Sequence, residues 1–185
     1  MSENETDIRV ELLCRVERDQ AARRSRDPAV MLDVDAENLP WLKRLVGEVG
    51  WPGKSLVGED GANAAWLLVQ HADQDPAFQR QCLDLLTEAA DRAEATSRQV
   101  AYLTDRVLLR EGKPQEFGTQ ATGQGGLWVA RRLRDPERVD ERREQVGLGP
   151  LQEYLDRMLA HYGPPPPSRP RRGMGPSSRQ PRAWT

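Results

Sequence analysis

Histidine and cysteine are scarce in this 185-residue chain, two of each, and that scarcity closes off most metal and nucleophile chemistry. His161 stands at the C-terminal border, which leaves His71 alone in the body of the sequence. A three-His zinc site or a two-His-one-carboxylate iron site therefore cannot be assembled from one chain. Cys14 and Cys82 show no CxxC or Cys/His spacing, fall within helical periodicity, and read as buried thiols rather than metal ligands or nucleophiles. No motif names a cofactor. Long apolar runs are also missing. Nothing approaches the ~20 residues of a membrane span, and the opening "MSENETDIRVELL" has no apolar leader core, so the expected compartment is the cytoplasm, away from membranes. Aromatics make up only 5%, half of them Trp, a composition that suits packed helices better than a β-sandwich.

Charge is plentiful and unevenly placed. From Gly163 to Thr185 there are five Arg and no acid, so the rest of the chain carries 22 basic against 29 acidic residues, a net charge of −7. An acidic body repels phosphate backbones and argues against nucleic-acid binding by the folded part. Only the tail has the sign to meet an acidic partner. That tail, "GPPPPSRPRRGMGPSSRQPRAWT", matches a PxxPxR ligand pattern, but its composition cannot bury enough apolar surface to fold. The expected division is a helical globular domain over 1–162 and a disordered tail over 163–185.

Periodicity supports an all-α array of six or seven helices. Ile8, Leu12, Val16 and Gln20 share one face of a first helix from about Thr6 to Arg24, and "SRDP" then breaks it. A second helix, starting at Asp35 or Pro40, carries Trp41, Leu42, Leu45 and Val46 and stops at Gly50. A third begins near Glu59 or Asp60 and ends by Asp73. Asp75-Pro76 is the clearest start signal, a cap followed by a proline whose missing N–H is not needed, for a helix to about Ala95. Ser97 caps a fifth helix, Asp135-Pro136 repeats the start signal, and Gly149-Pro150 opens the last. Between them, "PQEFGTQATGQGGLWVARRL" is glycine-rich and aperiodic, a loop or short irregular hairpin.

"GWPGKS" at 50–55 has the look of a phosphate loop and fails the test. G-x-x-x-x-G-K-[ST] needs its first glycine at position 48, which is Glu, and a strand before it, where a helix is expected. A turn closed by Gly50, Pro52 and Gly53, with Trp51 against the core, accounts for the stretch. G-x-S-x-G spacing is absent too. Ser55 with His71 and Asp105 is the one conceivable catalytic triad.

Two ionisable residues sit on apolar faces. His71 follows Leu67, Leu68 and Ala64 at helical spacing, and Asp105 lies among Ala101, Tyr102, Leu108 and Leu109. A buried carboxylate needs a partner, and His71, Arg106 or Arg23 could serve. Gln20, Gln70 and Gln79 flank the same stripes. Glu11, Arg15, Asp19 and Arg23 recur at i, i+4 and read as a solvated ion-pair face; if that face meets another element, Asp19 and Arg23 reach the pocket instead. Asp73 reads as exposed or capping.

Four motifs together resemble an uncharacterised bacterial family that carries only a domain-of-unknown-function label. They are GWP at Gly50-Trp51-Pro52, QHAD at Gln70–Asp73, LTDR at Leu103–Arg106, and Q-x-Y-G-T-Q at Gln115–Gln120, within a similarity spanning Glu11 to Met158. Phe117 stands where the family usually has Tyr. The resemblance implies no activity, but it points again to His71 and Asp105 and adds Gln115 and Gln120. The expectation is a small polar ligand in a pocket where His71 and Asp105 do acid/base work and Arg106, Gln115, Gln120, Gln70, Asp19 and Arg23 bind, under an adaptable lid formed by the 114–133 segment. The alternative is a non-enzymatic interaction or regulatory module in which a His–Asp pair is structural.

Overall fold

The computed structural model describes residues 3–166; most of the expected tail, from 167 onward, lies outside them. The described residues are all-α apart from one small hairpin. Helices α1 (Glu3–Ser25), α2 (Pro28–Val49), α3 (Lys54–Gln70), α4 (Pro76–Asp91) and α5 (Ser97–Arg110) come first. Strands β1 (Ala121–Gln124) and β2 (Leu127–Ala130), a 3-10 turn (Pro136–Arg138), α6 (Val139–Gln145) and α7 (Leu151–Tyr162) follow. α1 packs chiefly along α3, with α2 beside both; α4 pairs with α5, and α7 lies against β2.

Leu12 of α1, Leu42 and Val46 of α2, Val57 and Leu68 of α3, Leu86 of α4 and Leu103 of α5 meet in one core and are almost wholly buried. Each such side chain contributes roughly 1.5–3 kcal/mol relative to exposure, so these few contacts fix the mutual placement of the first five helices. Two links reinforce them. Lys43 Nζ reaches Asp75 Oδ2 at 2.8 Å, tying α2 to the start of α4, and Trp66 Nε1 donates to the Gln99 carbonyl at 3.1 Å, tying α3 to α5.

Helix boundaries differ from expectation where a start signal coincides with a break. Asp27-Pro28 does not merely end α1: the Asp27 side chain accepts from Ala29 N at 2.9 Å and Pro28 opens α2, which runs on through Pro40. It is the same signature as Asp75-Pro76, where Asp75 Oδ1 accepts from Phe78 N at 2.9 Å. α3 also starts earlier than its periodicity suggests, because Lys54–Val57 forms a turn before a kink at Gly58 (φ 73°, ψ 170°). α4 stops at Asp91, closed by Ala93 at φ 60° and by Glu94 N donating to the Ala89 carbonyl at 2.9 Å, a Schellman-type end. The cap of α5 is Thr96 rather than Ser97, in a reciprocal box with Gln99.

The glycine-rich segment is an antiparallel hairpin in the register Ala121↔Ala130 to Gln124↔Leu127. Gly125 and Gly126 both have positive φ, as a two-residue type I′ turn demands. Trp128 Nε1 donates to the Gly163 carbonyl at 2.9 Å and so fixes the hairpin to the end of α7.

Candidate functional site

His71 is the C-cap of α3, where the chain leaves the helix beside α1. Its Nδ1 lies 2.9 and 3.0 Å from the two oxygens of Asp19. Asp19 is fully buried, because the α1 face bearing Leu12 and Ala22 packs on α3 and carries it inward. Three donors surround this carboxylate: His71, Gln20 Nε2 at 2.8 Å, and Arg23 Nη2 at 3.2 Å. Burial pushes the Asp19 carboxyl up, but the His71 and Gln20 hydrogen bonds and the charges of His71 and Arg23 outweigh it and hold the group below the usual range. An ionised carboxylate only accepts, so the hydrogen of the His71–Asp19 bond resides on Nδ1. The other ring nitrogen, Nε2, has no protein partner among the described residues, on a side chain 20% exposed.

Arg23 also pairs with Asp35 of α2, which sequence reasoning missed because it placed the start of that helix near Asp35 or Pro40. Burial raises the Asp35 carboxyl against the opposing charge of Arg23. The stripe read as solvated is thus split: Glu11 and Arg15 pair at 2.7 Å near the surface, whereas Asp19 and Arg23 form an internal cluster with His71 and Asp35.

Asp105 does not pair with His71. It is fully buried on α5 and accepts from the backbone N–H groups of Glu116, Phe117 and Thr119 at 2.7, 3.0 and 2.8 Å and from the Thr119 hydroxyl at 2.9 Å. The carboxylate organises a loop and is occupied by it. Gln115, also fully buried, works on the same loop: its Nε2 donates to the Gln120 and Arg131 carbonyls at 2.9 and 2.8 Å, and its Oε1 accepts from Gln120 N at 3.0 Å. Arg143 Nη1 and Arg142 Nε hold the carbonyls of Phe117 and Glu116 from α6. Residues 115–120 are therefore pinned rather than an adaptable lid.

Arg106, next to Asp105, faces the other side of α5. Its Nε donates to Gln70 Oε1 at 3.1 Å, and its Nη1 meets both oxygens of Asp73 at 3.0 and 2.9 Å. Arg110 reaches Asp73 Oδ2 at 3.2 Å. Gln79, a fully buried amide of α4, completes the corner by donating to the Val69 and Gln70 carbonyls and, at 3.3 Å, to Asp73. Burial raises the Asp73 carboxyl, but Arg106 and Arg110 outweigh it and hold the group below the usual carboxylate range. Arg106, Asp73, Arg110, Gln120, Arg131 and Leu109 line a cavity of about 330 Å³. His71 is not part of that lining. Asp73, which the sequence places in the QHAD motif and reads as exposed or capping, is half-buried between Arg106 and Arg110; Arg110 and Arg131 carry no sequence signal beyond their charge, since the hairpin that brings Arg131 to α5 is set by long-range pairing.

At the other end of α3, the phosphate-loop look-alike is occupied from within. Glu94 Oε2 accepts from Ser55 N at 2.8 Å, and the Glu94 carbonyl accepts from Lys54 N at 3.2 Å. Glu94 takes the place an anion would need at the helix start. Ser55 and His71 stand at opposite ends of α3, on the order of 20 Å apart at 1.5 Å per residue, so no triad forms with Asp105. Of the two thiols, Cys82 is buried and Cys14, contrary to expectation, is exposed.

No helix among the described residues is long and apolar enough to cross a membrane. No curated protein and no solved structure matches the chain. A family model matches residues 6–164, which spans both polar clusters and the pinned loop. The chain belongs to that family, described as a family of unknown function, DUF6624.

Proposed function

We propose that this domain binds a small polar ligand and that His71, oriented by Asp19, is its acid/base group. The observation that carries the reading is the Asp19–His71 pair: a fully buried, ionised carboxylate fixes Nδ1 and leaves Nε2 at the surface. That is the arrangement by which a carboxylate sets the tautomer of a catalytic imidazole, and it leaves Nε2 free to accept a proton and return it. Arg106 and Gln120, on the nearby cavity wall, supply hydrogen-bond donors for the ligand's polar groups. Asp105 and Gln115 act as positioning residues, because they shape the loop that carries Gln120.

A second reading keeps the pair purely structural, within a non-enzymatic interaction module. Its support is that Asp19 and His71 fasten α1 to the end of α3 and that His71 lies outside the cavity lining. Ring nitrogen NMR of His71 separates the two. The first reading expects the Nδ1–H tautomer in the wild type, loss of that preference in Asp19→Asn, and movement of the ring signals when a panel of small neutral and anionic metabolites is added. A ring that ignores the entire panel favours the structural pair.

A further inference from the structure

The cavity between the end of α3, α5 and the hairpin has an unbalanced charge. Arg106, Arg110 and Arg131 contribute three positive charges to its lining and Asp73 one negative, a net of +2 in a chain whose body is acidic. Arg131 makes no side-chain hydrogen bond or ion pair among the described residues, although the backbone on either side of it is fixed: Arg131 N donates to Gln120 O at 2.9 Å and its carbonyl accepts from Gln115. Holding a guanidinium on a pinned backbone beside two others costs electrostatic repulsion that an anion would relieve.

A second orphan lies next to Arg106, outside the cavity lining. Gln70 turns its Oε1 to Arg106, and the same amide's Nε2 is buried without any acceptor. Buried donors of this kind are ordinarily paired. The volume, about 330 Å³, is at the small end of ligand sites and suits a metabolite rather than a polymer strand. Leu109 is the one apolar side chain in the lining, which is otherwise polar or charged.

We infer that this cavity is a site for a dianionic phosphate group, held by Arg106, Arg110 and Arg131 with Gln120 as a neutral donor, and that Asp73 sets its affinity by opposing the anion while keeping Arg106 and Arg110 in place. The proposal deepens the ligand-binding reading above and rests on it for the existence of a ligand, but not on any acid/base role for His71. Guanidinium forks match phosphate oxygens in pairs, and the residual charge of +2 matches a phosphate dianion better than a single carboxylate.

Calorimetry on the full chain at pH 7.5 and low salt tests it, with inorganic phosphate, glycerol 3-phosphate and acetate as separate titrants. Binding of either phosphate, weakening as salt rises and by about tenfold in Arg131→Gln, is the expected result. A preference for inorganic phosphate over glycerol 3-phosphate would identify the free ion as the ligand, and the reverse a phosphomonoester. Asp73→Asn should tighten the phosphate complex, the opposite of what loss of a merely structural residue would do. Arg131 is exposed, so Arg131→Gln should fold normally, which circular dichroism verifies. Absence of phosphate binding at millimolar concentration, or binding that Arg131→Gln leaves unchanged, overturns the proposal, even where the His71 ring answers to neutral metabolites. Phosphate binding that leaves the His71 signals still supports this site while removing support from His71 as the acid/base group.

Discussion

Asp105 takes both the backbone N–H and the side-chain hydroxyl of Thr119, at 2.8 and 2.9 Å, and so binds a residue 14 positions further along the chain twice. With the N–H groups of Glu116 and Phe117 added, one carboxylate fixes the path of the loop that ends at Gln120. The arrangement resembles the way backbone nests hold anions, with the anion supplied by the protein itself. Gly118 makes the turn possible: it has φ +69°, and a Cβ there would stand 2.8 Å from Leu151 Cδ1.

Removing the Asp105 carboxylate leaves three N–H groups, that of buried Thr119 among them, without their acceptor. Asp105→Ala is expected to destabilise the fold by about 3–5 kcal/mol, read by urea denaturation. Hydrogen exchange at the amides of Phe117 and Thr119 should accelerate in the variant more than exchange in α1. Equal acceleration everywhere would mean that Asp105 supports the whole core rather than this loop.

Asp19 makes stability depend on acid. Its pKa is lower in the folded chain than the ~3.9 of an unfolded Asp, so its contribution is complete above that value and is lost as pH falls through the folded pKa. Asp73 acts in the same direction. Asp35, raised by burial, acts in the opposite direction and prefers its protonated form in the fold. The expected profile of urea midpoint against pH falls below about pH 4, and Asp19→Asn, less stable near neutrality, falls less steeply there. An unchanged acid limb in the variant would remove Asp19 as its source.

The helices were legible because each repeats its apolar positions and most carry a cap. Asp75-Pro76 and Asp27-Pro28 bear the same signal, yet only the first was read as a start, since the second also terminates a strong helix. The candidate site divides along a physical line. His71 and Asp105 were visible as polar residues on apolar faces, a local property. Their pairing was not, because Asp19 against His71 and Thr119 against Asp105 depend on which faces meet, and Glu11 and Asp19 on one stripe look alike until Asp19 is buried. Arg131 became relevant only through the hairpin register.

Phe117 tests whether the ring at this position has more than a packing role. It is half-buried and lines a cavity of about 450 Å³ together with Thr104, Glu116 and Arg142. Phe117→Tyr should change unfolding free energy by no more than about 0.5 kcal/mol. A large destabilisation would show that the ring edge is packed tightly.

The two thiols should differ sharply in reactivity. Burial raises Cys82 to a pKa of about 12, with the nearby Asp75 charge adding to the effect, whereas Cys14 is exposed. Since the thiolate is the nucleophile, native protein at pH 8 should take up one equivalent of iodoacetamide, at Cys14, and a second only in urea. Labelling of Cys82 in native protein on the time scale of Cys14 would mean that α4 opens readily, since no static route brings reagent to a side chain with no exposed surface. The rate at which Cys82 reacts in sub-denaturing urea then reports the opening free energy of the core beneath α4, and comparing it between wild type and Asp105→Ala distinguishes a loop released by itself from a loop that takes α4 and α5 with it.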